Sequence, residues 1–230
     1  IGSSAFWECS ALKQVFINST TLIEKDYAVT YSYISRKNEC KAMAYMFGEQ
    51  VECYTLGENI TTIGLNVFYN CTGMTEIVLP ATVTSVKRDA FRGCSSLQKV
   101  ITPDVAAWCS IKFTNGNSNP LSLAHHLYLD NDTEVTSLQI PSGTEKIESY
   151  AFCKCTGLSS VTIPASVTSV GYDAFEGCSG LDKVVIENLT AWCRIRFGNA
   201  TANPLSSADY LYLADDTELT DIQIPENVNS

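Results

Sequence analysis

Ten cysteines, one histidine pair and two acidic clusters are the residues of this chain whose types could carry chemistry. A thiolate is both a nucleophile and a metal ligand. Five of the cysteines have a fixed neighbour, however: Cys9, Cys71, Cys94, Cys155 and Cys178 each follow a Phe by three residues (Phe6, Phe68, Phe91, Phe152, Phe175). That regularity reads as small, buried, apolar side chains at one position of a repeat. Cys153-Lys154-Cys155 has the look of a metal pair, but Cys153 stands where Tyr69 stands one copy earlier. Cys109 and Cys193 each follow a Trp and read as packing residues. Cys40 and Cys53 fall outside the pattern, and a disulfide between them suits an oxidising compartment.

His125-His126, with Cys109, would suit a metal or hydrolytic site. The aligned residues one copy later are Asp209 and Tyr210, so the unit does not need histidine, and the pair reads as surface residues. Asp130, Asp132 and Glu134, and again Asp215, Asp216 and Glu218, offer the hard oxygens that Ca²⁺ takes. They lack the EF-hand spacing and read as solvated turns, with Ca²⁺ left open. No phosphate loop, G-x-S-x-G elbow or H-E-x-x-H motif occurs, and no cofactor is expected.

The totals narrow the classes. The net charge of −10 over 230 residues argues against a nucleic-acid partner, since affinity there comes from Lys and Arg on phosphates. Hydrophobic content of 45% marks a folding chain. No apolar run approaches the roughly 18 residues of a membrane span.

The elements that would position these residues repeat. Phe68 and Phe91 are 23 apart, as are Phe152 and Phe175. A longer step of 84 relates Phe68 to Phe152, Trp108 to Trp192 and Pro141 to Pro225. Residues 58–141 therefore align without a gap on 142–225, about half the positions being identical. A divergent copy with its own insert occupies 1–57: Phe6, Cys9, Leu12 and Val15 match Phe68, Cys71, Met74 and Ile77. Periods of 20–50 residues indicate a solenoid. Alternation makes Met74–Leu79, Leu97–Thr102, Leu158–Ile163 and Leu181–Ile186 short strands, each pairing in parallel with its counterpart. A following Pro ends the ladder (Pro80, Pro141, Pro164, Pro225). A second short β segment comes next: Val83–Val86, Thr144–Ile147, Val167–Val170. The start at Ile1-Gly2 and the stop at Val228-Asn229-Ser230 both fall in mid-pattern, as in a piece of a longer protein.

The pattern C-x-x-L-x-x-V-x-I-P-x-x-V-T-S-V/I-G-x-x-A-F resembles the BspA-type leucine-rich repeat family. Cys71–Leu79 with Pro80 and Val83–Val86 carries it, as does Cys155–Ile163 with Pro164, Val167–Gly171, Ala174 and Phe175. Two departures are local: Thr102 replaces the apolar residue before Pro103, and Val185-Ile186 leads to Glu187 with no Pro. The expected fold is an α/β-type, right-handed leucine-rich repeat solenoid: short parallel strands, irregular coils, and short helices in the inserts. Asp104–Phe113 and Asn188–Phe197 each open on an N-cap residue type and read as short convex-side helices, with Trp108 and Ile111 on one face. Leu127–Leu129 and Leu211–Leu213 read as hairpin-like lead-ins to the next repeat.

The expected function is then a surface. Outward strand positions form two columns, and Phe16, Val78, Ile101 and Val185 are apolar there where no core needs them. With Glu76, Lys99, Ser160, Thr162 and Lys183 they make up a candidate protein-binding face on the concave sheet, although β-branched residues also sit outward for strand propensity alone. The resemblance implies a secreted or cell-surface protein; this fragment is expected to be a monomer. Its role would be non-enzymatic adhesion to host extracellular-matrix proteins, other surface proteins or glycans. The rival is a spacer that presents another domain; a uniformly Ser/Thr/Gln face would favour it. A hydrolase using His125 with a nearby acid or Cys109 is the third reading.

Overall fold

The computed structural model describes residues 5–6, 9–32, 37–130 and 133–224. Ile1-Gly2, Asp132, Pro225 and Val228–Ser230 lie outside them.

Along the chain, strand β1 (Gln14–Ile17) is followed by helix α1 (Thr20–Ile23) and the hairpin β2 (Val29–Ser32) and β3 (Lys37–Cys40). Helix α2 (Met43–Phe47) leads to β4 (Cys53–Leu56), β5 (Thr62–Ile63), β6 (Glu76–Val78), β7 (Ser85–Val86) and β8 (Lys99–Ile101). Then come α3 (Val105–Cys109), β9 (Lys112–Phe113), α4 (Leu121–Ala124) and β10 (Leu127–Tyr128). The second copy holds β11 (Ser137–Gln139), β12 (Lys146–Ile147), β13 (Ser160–Ile163), β14 (Ser169–Val170) and β15 (Lys183–Ile186). It closes with α5 (Leu189–Cys193), β16 (Arg196–Phe197) and β17 (Tyr210–Leu213).

The long strands form two parallel sheets, β1-β4-β6-β8-β10 and β11-β13-β15-β17. The short strands form two more, β5-β7-β9 and β12-β14-β16. Six coils thus contribute one strand to a long sheet and one to a short sheet, as a leucine-rich repeat solenoid requires, while β1, β10 and β17 have no short-sheet counterpart among the described residues. The inward positions Ile77, Val100, Leu138, Val161 and Val184 are wholly buried. Pro80, Pro141 and Pro164 accept from Val83, Thr144 and Val167 N–H respectively, turning the chain between the two strands.

Side chains stack from coil to coil. The rings of Phe68 and Phe91 lie 5.1 Å apart, and those of Phe152 and Phe175 5.4 Å, both near parallel. Cys94 Sγ donates to Phe68 O at 3.0 Å and Cys178 Sγ to Phe152 O at 3.1 Å, so these thiols serve the stack. Two turns per coil need a left-handed backbone. One falls at Asn66, Asp89, Tyr150 and Asp173; the other at Asn70, Gly93, Lys154 and Gly177. Glycine takes this conformation without strain, and Asn and Asp at modest cost.

The inserts depart from expectation. Each helix is a single turn: α3 ends at Cys109, and Lys112-Phe113 pairs in parallel with Ser85-Val86. Ile111 and Phe113 therefore do not share a helical face with Trp108. Leu127 is in register with Val100, 27 residues earlier, and Leu211 with Val184 at the same step. Each insert is accordingly a full coil four residues longer than the 23-residue one, and its Leu-Tyr strand joins the long sheet. The hairpin also forms: Val135 N–H donates to Leu127 O, and Tyr128 bridges Glu134 antiparallel. Because that hairpin occupies the free edge of β10, the first long sheet ends there and β11 starts another.

Candidate binding face

On the outer face of the first long sheet, Phe16, Thr55, Val78, Ile101 and Tyr128 are in register, beside Gln14, Cys53, Glu76 and Lys99. On the second, Ser137, Ser160, Lys183 and Tyr210 align beside Gln139, Thr162, Val185 and Tyr212. Alternation sets this arrangement, since one residue in two points away from the core. Phe16 is the most open large apolar side chain of the set, at 68% exposure. Glu76, Val78, Lys99, Ser160, Thr162, Lys183 and Val185 are half-buried. Ile101 is a correction: it is only 4% exposed, lying in the ladder between Val78 and Tyr128, and has no open surface to offer.

The charged members are held by neighbours. Lys99 Nζ lies 4.0 Å from Glu76 and 4.6 Å from the centroid of the Tyr128 ring. Lys183 Nζ repeats this, 3.0 Å from Asp216 and 4.1 Å from the Tyr212 centroid. Tyr212 OH donates to Glu218 at 3.0 Å, and that bond pushes the phenol up from its ordinary value. Burial first, then Glu134, does the same to Tyr128. Ser160 Oγ donates to Ser137 Oγ at 2.8 Å.

Tyr128, Tyr210 and Tyr212 are face residues that the sequence reading missed. The signal was present: Leu-Tyr-Leu alternates as a strand, and Ile-Lys-Phe before it matches the second β segment. The 27-residue step was hidden inside what read as an insert.

The other candidates resolve away from the face. Cys40 Sγ contacts Asn66 O at 3.7 Å and Cys53 Sγ contacts Glu76 at 3.4 Å, so the two thiols are free and engaged elsewhere, not bonded to each other. Cys53 does lie on the outer strand face, its thiol pushed up to about 11 by burial and then by Glu76. Cys71, Cys94, Cys155 and Cys178 are buried as the repeat demands, but Cys9 is exposed. Cys109 is wholly buried and its thiol is pushed up to about 12, the wrong direction for a nucleophile. His125 Nδ1 donates to Lys154 O at 2.8 Å, and His126 Nδ1 to Glu134 at 2.7 Å. Asp130 and Asp215 accept from Thr133 and Thr217 N–H in their own turns. No cluster of three metal-ligating side chains occurs among the described residues. An open cleft of about 540 Å³ lies elsewhere, between Ala106 and Ser110 of the first insert and the Ser142–Lys146 turn.

Stacked coils with parallel strands and a patterned outer face define a leucine-rich-repeat type of protein-interaction module. The model of the BspA type leucine rich repeat region matches residues 38–118 and 128–230, in six copies, and the chain belongs to that family. No curated protein matches. Similar solved structures include a leucine-rich repeat protein from Bacteroides ovatus, 20% identical with a TM-score of 0.38, covering 77% of this chain and 40% of that one. Another is the T. pallidum leucine rich repeat protein, 18% identical with a TM-score of 0.32, covering 80% and 65%. A third, a leucine rich cell surface protein from Faecalibacterium prausnitzii, is 16% identical with a TM-score of 0.23 and 75% of each chain covered. The chain thus spans less than two thirds of the length of the first two. Among the described residues no helix is long and apolar enough to cross a membrane.

Proposed function

We propose that this chain is a non-enzymatic binding module of a secreted or cell-surface protein, which holds host matrix or other surface proteins on the outer face of its long sheets. The observation that carries this reading is the exposure of aromatic side chains on strands whose other face builds the core: Phe16 at 68% and Tyr210 at 44%. Aromatic anchors of this kind dominate protein interfaces. Thr55 and Val78 continue the row that Phe16 begins, and Lys183 lies beside Tyr210; in this reading the two 84-residue copies act as one unit.

A binding screen of the purified chain against matrix proteins and glycans tests it, with Phe16→Asp, Val185→Asp and Tyr210→Asp as a triple variant. A hit lost in the triple variant supports the face. A hit that persists moves binding off this face, to the turns and helices of the insert coils. The spacer reading has its own support in the run Ser137, Gln139, Ser160 and Thr162, which is wholly polar. Absence of any hit across the screen would favour that reading.

A further inference from the structure

A one-turn helix meets the second β segment of the following coil at two junctions. Helix α1 ends at Ile23, whose carbonyl accepts from Gly64 N–H at 2.8 Å. Helix α3 ends at Cys109, whose carbonyl accepts from Glu148 N–H at 2.8 Å. Gly64 and Glu148 are 84 apart and hold the same place after β5 and β12. Glu24 and Ser110 are therefore equivalent. Each closes its helix with nearly the same backbone, φ −84° and −92°, ψ −6° and −7°.

Their side chains do different things. Glu24 Oε1 accepts from Thr61 N–H at 3.1 Å, from Thr61 Oγ1 at 2.9 Å and from Thr62 N–H at 3.3 Å. Those bonds, Thr61 N–H first, hold its carboxyl below the ordinary carboxylate value. The carboxylate thus closes the outer edge of β5, an end strand of its sheet. Ser110 cannot reach so far. Its hydroxyl turns back to Ala106 O at 3.0 Å, and the cleft of about 540 Å³ opens between it and the Ser142–Lys146 turn. Glu145 and Lys146, the counterparts of Thr61 and Thr62, line that cleft beside β12, again an end strand. Glu145 N–H finds no acceptor among the described residues. Thr144 lines it too, at the position of the buried Ile60. Its Oγ1 is the one buried side-chain oxygen or nitrogen without a hydrogen-bond partner among the described residues.

We propose that this cleft binds a carboxylate, carried on an Asp or Glu side chain of a partner protein and seated where Glu24 reaches at the first junction. Glu24 is the argument for that occupant, since the chain itself fills the equivalent edge with an acidic side chain. The guest meets Glu145 N–H and Lys146 N–H as Glu24 meets Thr61 and Thr62. Thr144 Oγ1, rotated about χ1, takes the place of the Thr61 hydroxyl. Lys146 is already paired with Glu148 at 2.8 Å and the Glu145 side chain is exposed. The anion is therefore held by amide and hydroxyl dipoles, as Glu24 is, with Lys87 only a minor contributor there. Such bonds to an ionised acceptor are roughly twice as strong as neutral ones. The volume is far more than one carboxylate needs and admits the residues flanking it, which favours a peptide over a lone small acid. This site lies apart from the outer strand face, and neither reading depends on the other.

The test titrates the whole isotope-labelled chain with acetyl-Gly-Glu-Gly-amide while NMR follows the Glu145 and Lys146 amides. The peptide should shift both signals saturably. Acetyl-Gly-Gln-Gly-amide should bind about tenfold more weakly for want of charge. Butyrate, which matches the Glu side chain without its flanking residues, should also bind about tenfold more weakly. Ser110→Glu puts a carboxylate where Glu24 has one; it should raise the melting temperature and abolish the peptide shift. Ser110→Gln supplies the bulk without the charge and should not raise the melting temperature. Failure of both amides to shift, or equal binding of the Glu and Gln peptides, overturns the proposal, and these titrations need no variant to fold. Butyrate binding as tightly as the peptide overturns the peptide source. Undiminished peptide binding by a folded Ser110→Glu variant overturns the seat beside Ser110.

Discussion

The 23-residue coils and the 27-residue coils build the same ladder by different means. A short coil turns at a proline and returns through Ala-Phe and a buried thiol. A long coil replaces the proline turn with a capped one-turn helix. It replaces the Phe stack with Trp108 or Trp192, packed 5.5 Å from Phe113 or 5.3 Å from Phe197. The short coils put nearly all their large apolar side chains into the shared core and are nearly interchangeable. The long ones end the sheet, bring tyrosines to its outer face, and differ from each other according to what covers them.

The largest expected effects test the core that both kinds share. Phe91→Ala removes one ring of a near-parallel stack and should cost about 3–5 kcal/mol by chemical denaturation. Trp108→Ala, in the long coil, should cost as much, since the indole is wholly buried and hydrogen-bonded. Trp192→Ala should cost about 1–2 kcal/mol. Equal costs for the two tryptophans would mean that burial does not separate the two long coils.

A second test uses pH. Burial pushes the thiols of Cys94 and Cys178 in the short coils, and Cys109 in the long one, from an ordinary value near 9 up to about 12. Below pH 9 the thiol is protonated in both folded and unfolded chains. Above it the unfolded chain ionises first, so stability is lost as pH rises from about 9 to about 12. Each thiol contributes a fall of about 1.4 kcal/mol per pH unit. Melting curves between pH 7 and 11 should show this slope, and Cys94→Ala with Cys178→Ala should flatten it. An unchanged slope in that double variant would place the effect in Cys109 or in the tyrosines instead.

Helix caps give a smaller contrast. Asp104 Oδ1 accepts from both Ala106 and Ala107 N–H, while Asn188 accepts only from Ala191. Asp104→Ala should cost about 1 kcal/mol and Asn188→Ala somewhat less, measured by the shift in the denaturation midpoint.

The same division explains what the sequence made legible. In the short coils every constraint is local and repeats at one step, so the strands, the proline turn, and the Phe and Cys columns could be read directly. In the long coils the second strand, Lys112-Phe113, is as short as in the 23-residue coils but lacks the β-branched run three residues after a proline that marks it there. A helical reading of Asp104–Phe113 fitted the apolar spacing equally well, and the N-cap at Asp104 pointed the same way. Only pairing with Ser85-Val86, fixed by the neighbouring coil, decides against helix beyond Cys109. Ile101 was misread for a related reason. Its outward direction followed from alternation, but its cover comes from Tyr128, on a strand that the sequence reading had not placed in the sheet. Cys9 shows the converse, a residue at the repeat position that is nonetheless exposed.

The finest test concerns the tyrosines that the long coils deliver. If a lysine from the preceding short coil fixes each ring, a double-mutant cycle of Lys99→Met and Tyr128→Leu should show a coupling of about 0.5–1 kcal/mol. Lys183→Met with Tyr212→Leu should show a weaker one, because that pair is more open to solvent and Lys183 is shared with Asp216. Salt separates the contributions. Screening weakens an exposed ion pair such as Lys183–Asp216, whereas ring contact at 4.1–4.6 Å is less sensitive. Coupling that survives 0.5 M salt in the first pair would make Tyr128 a fixed part of the outer face, preorganised for a partner. Coupling that vanishes in both would leave the rings held by Glu134 and Glu218 alone. The aromatic anchors of the proposed interface would then be Phe16 and Tyr210, which carry no lysine contact of this kind.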